Sequence, residues 1–312
     1  MIPSPFTADQ RLRTLIDENC LLLMVLSRFG LPLHQANQSV DDVCRGAGVD
    51  SATFLAVANL VTGRPFTPDG VRVSSLLPYL KKAHSYFLDF FLPSIRRKFL
   101  YAYDMSHSSD VVGTILRFFD DYVDEVRRHM NYENEVLFTY VDALVAGRPV
   151  SDDFSIEVFA SHHDAISDKL NRLKDVLIRY SLTGNTDMIN SVLYDIINCE
   201  SDLISHCEVE DRLLVPAVAA LEASAGRVAS GRDRSLAGAD SAELLGEREK
   251  EIICCVARGM SNKEIADRLC ISIHTVTTHR RNISSKLEIH SPAGLTVYAI
   301  LNGLIDPNDI NL

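Results

Sequence analysis

The chain has 312 residues, of which 46% are hydrophobic and 23% are charged. This composition is typical of a folded globular protein and excludes disorder as the main state, and the length predicts two or three domains. No run approaches the ~20 uncharged apolar residues that span a bilayer. The N-terminal MIPSPFTADQ also lacks a basic region followed by an apolar stretch. We therefore expect a cytoplasmic protein with no membrane segment.

Cysteine usage and net charge further limit the kinds of site and of binding surface that the chain can have. The seven cysteines show no CxxC pair and no regular spacing, which argues against a disulfide framework and against a structural zinc site. The formal net charge is −11. A chain with this charge can bind nucleic acid only through a locally basic surface.

The first segment, from about residue 6 to residue 63, carries apolar positions at helical spacing. The stretch RLRTLIDENCLLLMVLSRFG predicts one helix that stops at Gly30. Ser39, with Asp42 three positions later, predicts the capped start of a second helix, and SATFLAVANLVTG predicts a third. The Gly/Pro-rich stretch GRPFTPDG that follows indicates a linker.

Four long helical patterns follow, near residues 76–103, 110–146, 152–182 and 186–222. Long helices joined by short loops predict an antiparallel bundle. Pro93 and Pro216 fall inside the first and the last pattern, so each of those helices is expected to kink or end there. Residues 222–242, rich in Ala, Gly, Ser and Arg, predict a flexible linker.

The C-terminal segment contains two short helical patterns around a tight turn. Ser261 and Glu264 form a capping box that opens NKEIADRL, and Ser272 caps the next helix, HTVTTHRRNISSKL. Residues 258–288 contain six Lys or Arg against three acids, a local charge of +3 within a chain of −11. This segment therefore supplies the locally basic surface that DNA binding requires.

The runs EREKEI, GMSNKEIADRL and ISIHTVTTHRRNISSKL resemble the LuxR-type helix-turn-helix family. The resemblance implies a four-helix domain that binds double-stranded DNA as a homodimer. It implies that HTVTTHRRNISSKL is the recognition helix and that SPAGLTVYAIL can form the dimer contact. Matching positions imply base-edge contacts for Thr277, Thr278 and Arg281. They imply positions near phosphates for Ser261, Lys263, Thr275, His279 and Arg280.

This chain departs from the family pattern at two positions. Family members often have Lys at the position of Thr277, and Gly246 replaces the usual Thr cap. The resemblance therefore does not imply a particular base preference.

Six residues of types that bind iron recur in the bundle patterns: His84, His129, Glu133, His163, His206 and Glu210. They include two His/Glu pairs with a spacing of four, so each pair projects from one face of its helix. Ligands from four helices that converge inside a bundle are typical of carboxylate-bridged iron sites. A single histidine on such a helix is more often a surface or core residue, so the prediction depends on the whole set.

The set resembles the hemerythrin-like domain and, more narrowly, the di-iron proteins called repair of iron centers. The resemblance implies a non-haem di-iron centre with two Fe per chain, in which the four histidines are terminal ligands and Glu133 and Glu210 are bridges. Phe159 stands where oxygen-carrying hemerythrins have a further histidine, so the repair-type pattern is the complete one. His162 and Asp211 remain competing candidates for the ligands on the third and fourth helices.

The upstream stretch LIDENCLLLMVLSRFGLPLHQANQSVDDVCRGAGVD resembles the small N-terminal domain of the same family. That domain normally carries adjacent cysteines shortly after the Phe-Gly, where this chain has LPLHQAN. The resemblances together imply an all-α protein. The implied domains are a small helical domain (1–70), a hemerythrin-like four-helix bundle (74–223), a flexible linker (224–242) and a LuxR-type domain (243–312).

This architecture predicts a DNA-binding transcription regulator, not an enzyme, whose input is nitric oxide, oxygen, oxidative stress or iron status. One alternative is a di-iron repair or nitric-oxide-handling protein with an attached DNA-binding domain. Another is a regulator whose bundle is metal-free and serves for dimerisation. Measuring the metal content of the purified protein distinguishes the metal-free alternative from the two hypotheses that require iron. Promoter binding that changes with the state of the iron distinguishes the regulator from the repair protein.

Overall fold

The computed structural model describes residues 3–102, 110–150, 154–160, 167–179, 186–224 and 245–310. These residues form helices and connecting turns without a β-strand, which confirms the predicted all-α class. None of the described helices combines the length and the apolar character that crossing a bilayer requires. The predicted flexible linker falls almost entirely outside the described residues.

The N-terminal segment forms four helices: α1 (Leu12–Glu18), α2 (Leu22–Phe29), α3 (Val40–Ala47) and α4 (Ser51–Val61). The prediction of one helix from residue 11 to residue 30 is therefore wrong. Asn19 has extended backbone, and its Oδ1 accepts a hydrogen bond from the N–H of Leu21 at 3.0 Å. This local bond competes with helix formation and separates α1 from α2. The predicted cap is confirmed, since the hydroxyl of Ser39 accepts from the N–H of Asp42 at 3.1 Å.

Four long helical stretches follow, three of which contain a π-helical segment. The first consists of α5 (Val73–Ser85), the π segment Tyr86–Phe91 and α6 (Leu92–Ala102). The second consists of α7 (Asp110–Tyr132), the π segment Glu133–Leu137 and α8 (Phe138–Val145). The third contains α9 (Ile156–Ala160) and α10 (Ser167–Arg179). The fourth consists of α11 (Thr186–Val209), the π segment Glu210–Leu214 and α12 (Val215–Ser224).

The two prolines that were expected to disturb the first and the last bundle helix do not end those helices. Pro93 and Pro216 are each the second residue of the α-helix that follows a π segment. A proline has no N–H to donate, and its ring collides with the carbonyl four residues earlier. The preceding turn accommodates this collision by widening, so the predicted kink takes the form of a local change of helix type.

The described residues divide into two compact units. Unit 1 lies within 1–91, 127–165 and 201–235, and unit 2 lies within 92–126, 166–200 and 236–312. In unit 1, the N-terminal helices share one hydrophobic core with helices of the bundle. This core includes Leu26, Phe54, Leu80, Phe138 and Leu213.

Unit 2 contains the C-terminal helices α13 (Glu247–Ala257), α14 (Asn262–Leu269), α15 (Ile273–Leu287) and α16 (Pro292–Leu301). Helix α13 packs on both α15 and α16, and α14 packs on α15. Helix α16 also packs on α10 of the bundle. The C-terminal helices are therefore in direct contact with the bundle helices of their own unit.

Candidate metal centre and nucleic-acid interface

Four side chains from three helical stretches converge inside unit 1: His84, Glu133, His206 and Glu210. One nitrogen or carboxylate oxygen from each lies within 4.8 Å of the others. All four residues are at most 2% exposed. Nε2 of His84 lies 3.0 Å from Nε2 of His206, so two imidazole nitrogens point at the same small volume.

The two oxygens of Glu133 face different histidines. Oε2 lies 3.3 Å from Nε2 of His84, and Oε1 lies 2.9 Å from Nε2 of His129. Oε1 of Glu210 lies 3.3 Å from Nε2 of His206. The structure thus brings together His84, Glu133, His206 and Glu210, and His129 joins this group through Glu133. Each oxygen of Glu133 therefore faces a different imidazole nitrogen.

The competing ligands have different positions. Asp211 is exposed, whereas the neighbouring Glu210 is fully buried. The structure therefore places the carboxylate of Glu210 in the cluster. His162 and His163 lie outside the described residues. Phe159 is buried in the hydrophobic core.

Two neighbours of His84 were missed by sequence reasoning. Nδ1 of His84 lies 3.1 Å from Oδ1 of Asn134. Because an amide oxygen only accepts, this contact favours the tautomer with the proton on Nδ1 and the Nε2 lone pair facing the cluster. The ring of Phe138 stacks on His84 with centroids 5.2 Å apart. Asn134 directly follows Glu133, and this adjacency is the only signal that the sequence offered.

The π segments coincide with the cluster. Two of them begin at Glu133 and Glu210, and the third begins two residues after His84. Such segments occur often at functional sites, because one extra residue in a turn redirects the side chains that follow it. The ligand-type residues therefore lie where the helices depart from regular geometry.

The electrostatics of the cluster fit a cation. Burial by itself lowers the pKa of His206, but the carboxylates of Glu210 and Glu133 outweigh burial, so the pKa of His206 is raised. Two carboxylates without solvent exposure are stable only where positive charge is close. A donor set of imidazole and carboxylate suits iron and similar divalent ions. The residues that are present therefore fit a metal ion.

In the C-terminal helices, both predicted caps are confirmed. Oγ of Ser261 accepts from the N–H of Glu264 at 3.3 Å, and the N–H of Ser261 donates to Oε2 of Glu264 at 2.7 Å. Oγ of Ser272 accepts from the N–H of Thr275 at 3.0 Å. Gly246 makes one of the two hydrogen bonds of a capping box, since its N–H donates to Oε2 of Glu249 at 3.0 Å. Helices α14 and α15 thus form a helix-turn-helix with fixed ends.

The predicted DNA contacts differ in exposure. Five of them are exposed: Ser261, Lys263, Thr277, Thr278 and Arg281. Three are half-buried: Thr275, His279 and Arg280. Nη1 of Arg280 donates to Oδ1 of Asn262 at 2.6 Å, so this side chain joins α15 to α14. Val276, Ile283 and Leu287 are buried on the opposite side of α15, as predicted.

Two segments of the chain match known families. Residues 75–218 match the hemerythrin HHE cation binding domain, and residues 243–299 match the bacterial regulatory proteins of the luxR family. No solved structure gives a significant match.

Curated relatives share part of the chain. It is 44% identical to the transcriptional regulatory protein LiaR of Bacillus subtilis over 82 residues, which are 26% of this chain and 39% of that protein. It is 45% identical to the response regulator protein VraR of Staphylococcus aureus over 74 residues, which are 24% of this chain and 35% of that protein. The chain thus spans less than half the length of either relative. Together with the helices described above, the two matched segments show that this chain joins a hemerythrin-type helical bundle to a LuxR-type helix-turn-helix domain.

Proposed function

We propose that this protein is a transcription regulator that binds double-stranded DNA through its LuxR-type domain, with a DNA affinity set by a di-iron centre in the bundle. The observation that carries this proposal is the convergence of four buried metal-binding side chains in a chain that also has the helix-turn-helix. Both named relatives are regulatory proteins, which supports regulation over the repair-enzyme alternative.

His84, Glu133, His206 and Glu210 would hold the metal, since their ligand atoms converge. His129, which lies against Glu133, and the predicted ligand His163 would complete a site for two iron ions. Bound iron supplies open positions for nitric oxide or oxygen and a change of oxidation state. The protein keeps water out of the site and, through Asn134, holds the coordinating lone pair of His84 in place.

Contacts within unit 2 offer a route from the bundle to the DNA-binding domain. The carboxylate of Asp110, at the start of α7, accepts from the N–H of His290 at 2.9 Å. This hydrogen bond lowers the pKa of Asp110. Nη1 of Arg179, at the end of α10, donates to the carbonyl of Pro307 at 3.0 Å. The C-terminal domain is thus docked on helices that belong to the bundle.

Docking affects the two functional helices of this domain differently. Helix α16, to which the resemblance gives the dimer contact, is buried along most of its length from Gly294 to Leu301, because it packs on α13 of its own domain and on α10 of the bundle. The recognition helix keeps its predicted base-contacting residues exposed. In this docked form the protein therefore has a reading surface for DNA but a covered dimer helix.

A groove of about 550 Å³, open to solvent, lies at the docked interface. It is lined on the bundle side by residues such as Thr114 and Phe118 and on the other side by Lys250 and Tyr298. Relative motion is expected at an intrachain interface unless it is large and hydrophobic. The state of the iron shifts the balance between the docked form and an open form in which α16 pairs with a second copy. Paired domains bind two half-sites at raised effective concentration.

The proposal is tested by purifying the full chain without oxygen, measuring iron per chain and recording its absorption spectrum with nitric oxide and with oxygen. We expect close to two iron atoms per chain and a spectrum that changes with at least one of the gases. A chain that binds promoter DNA but holds no iron after reconstitution with Fe²⁺ would favour the metal-free dimerisation alternative.

A further inference from the structure

Arg28, in α2 of the N-terminal segment, is a buried cation in unit 1. Its side chain is 4% exposed. Nη1 and Nη2 donate to the two carboxylate oxygens of Asp202 at 2.8 and 2.6 Å. The carboxylate is itself mostly buried. Burying such an ion pair costs desolvation free energy. The bidentate hydrogen bonding between guanidinium and carboxylate offsets that cost.

The Arg28 guanidinium also lies against aromatic rings next to the metal-binding cluster. Its carbon is 5.5 Å from the ring centroid of Tyr86 and 5.2 Å from that of Phe87. These two residues begin the π segment that follows His84. The ring of Phe87 in turn lies 5.9 Å from the ring of His206. Arg28 is thus separated from a candidate ligand by one side chain.

Asp202 connects Arg28 to the fourth helical stretch. It precedes His206 by four residues and Glu210 by eight, so the three side chains follow one face of the stretch that begins with α11. A single side chain from the N-terminal helices therefore contacts two of the ligand-carrying stretches, one through aromatic rings and one through a paired carboxylate.

We propose that Arg28 is a positioning residue, through which the N-terminal helices hold His84 and His206 at the separation that metal binding requires. This inference rests on the proposed metal centre. It gives the N-terminal segment a role that does not need the cysteines missing from LPLHQAN. Arginine suits the role because its planar fork pairs with both carboxylate oxygens while its face stacks on a ring. Lysine offers the charge alone.

The experiment uses the full chain and Co²⁺ as probe, since the visible spectrum of Co²⁺ reports the geometry of its ligands. We expect Arg28→Met to weaken Co²⁺ binding by about 10–100-fold, as loss of an outer-shell partner does, and to alter the spectrum. Arg28→Lys should keep part of the Co²⁺ affinity that Arg28→Met loses. Arg28→Met combined with Asp202→Leu removes both charges, so weak binding in this variant reflects lost positioning and not an unpaired carboxylate.

Arg45→Met is the matched control, because Arg45 is exposed and pairs with Asp41 and Asp42 of its own helical segment. It should bind Co²⁺ like the unaltered chain. Thermal unfolding of each metal-free variant shows how much stability is lost. Unchanged Co²⁺ affinity and spectrum in Arg28→Met, with or without lost stability, would overturn the positioning role. Failure of the unaltered chain to bind Co²⁺ or Fe²⁺ would instead refute the metal centre and, with it, this inference.

Discussion

At the scale of single residues, Glu133 is the most informative test of the metal assignment. Its two oxygens face His84 and His129, so in the proposed di-iron centre its removal would open a position at both ions. We expect Glu133→Ala to lose most of the iron bound by the unaltered chain, measured as iron per chain after anaerobic reconstitution. Glu135→Ala is the control, since Glu135 lies in the same π segment but is exposed. Full retention of iron in Glu133→Ala would exclude its role as a bridge.

Two exposed cations of the helix-turn-helix have different predicted roles. Arg281→Ala should cost ~1–3 kcal/mol of binding free energy on the specific site and relax sequence preference, because a base contact is lost. Lys263→Ala should weaken all DNA alike and reduce the salt dependence by about one unit, because a phosphate contact is lost. Affinity measured on specific and random duplexes over a range of salt concentrations separates the two. Equal losses on both duplexes for Arg281→Ala would show that it contacts only the backbone.

The two His/Glu pairs were accessible to sequence reasoning because a spacing of four is a property of one helix, whereas His84 was assigned only as part of the whole set. The residues that support these ligands were not accessible in this way. Asn134 lies 50 positions from His84, and Arg28 lies 174 positions from Asp202. Periodicity predicts which face of a helix a residue occupies, but it does not show which distant helix meets that face.

At the scale of elements, the start of α7 carries one of the contacts that hold the C-terminal domain on the bundle. Asp110→Ala removes the acceptor for the N–H of His290, and such a hydrogen bond is worth ~1 kcal/mol or more. We therefore expect the docked form to lose stability and the dimer population and promoter affinity to rise by about 5-fold. Ultracentrifugation and DNA titration measure the two effects.

The control for this change is Asp187→Ala, which removes an exposed carboxylate from the first turn of α11. It should leave both measurements unchanged, because any loss of favourable charge at a helix start is shared by the two variants. A decrease in DNA affinity for Asp110→Ala would mean that docking supports DNA binding and does not restrain it.

The helices of the C-terminal domain were predicted well, because Ser261 and Ser272 carry explicit capping signals. The break between α1 and α2 was missed, since apolar periodicity continues across Asn19 and hides a break made by one side-chain hydrogen bond. The π segments were anticipated only as disturbances at Pro93 and Pro216. The segment at Glu133 has no proline and gave no signal at all.

At the scale of the whole molecule, a flexible linker of the kind that the sequence predicts for residues 224–242 would not transmit a rigid push. Regulation then depends on docking and self-association. We expect the isolated domain from Ala242 onward to bind promoter DNA with an affinity that does not respond to iron, nitric oxide or oxygen. DNA titration with and without these agents provides the measurement. A response in the isolated domain would place the sensor outside the bundle.

The most direct test of coupling between the metal centre and DNA binding is the promoter affinity of the full chain in four forms: metal-free, diferrous, oxidised and treated with nitric oxide. A coupling free energy of ~1–3 kcal/mol is ordinary for such a switch and corresponds to affinities that differ by about 5–150-fold. We expect at least one form to differ from the others by that amount, with a matching change in dimer population. Identical affinities in all four forms would contradict the account.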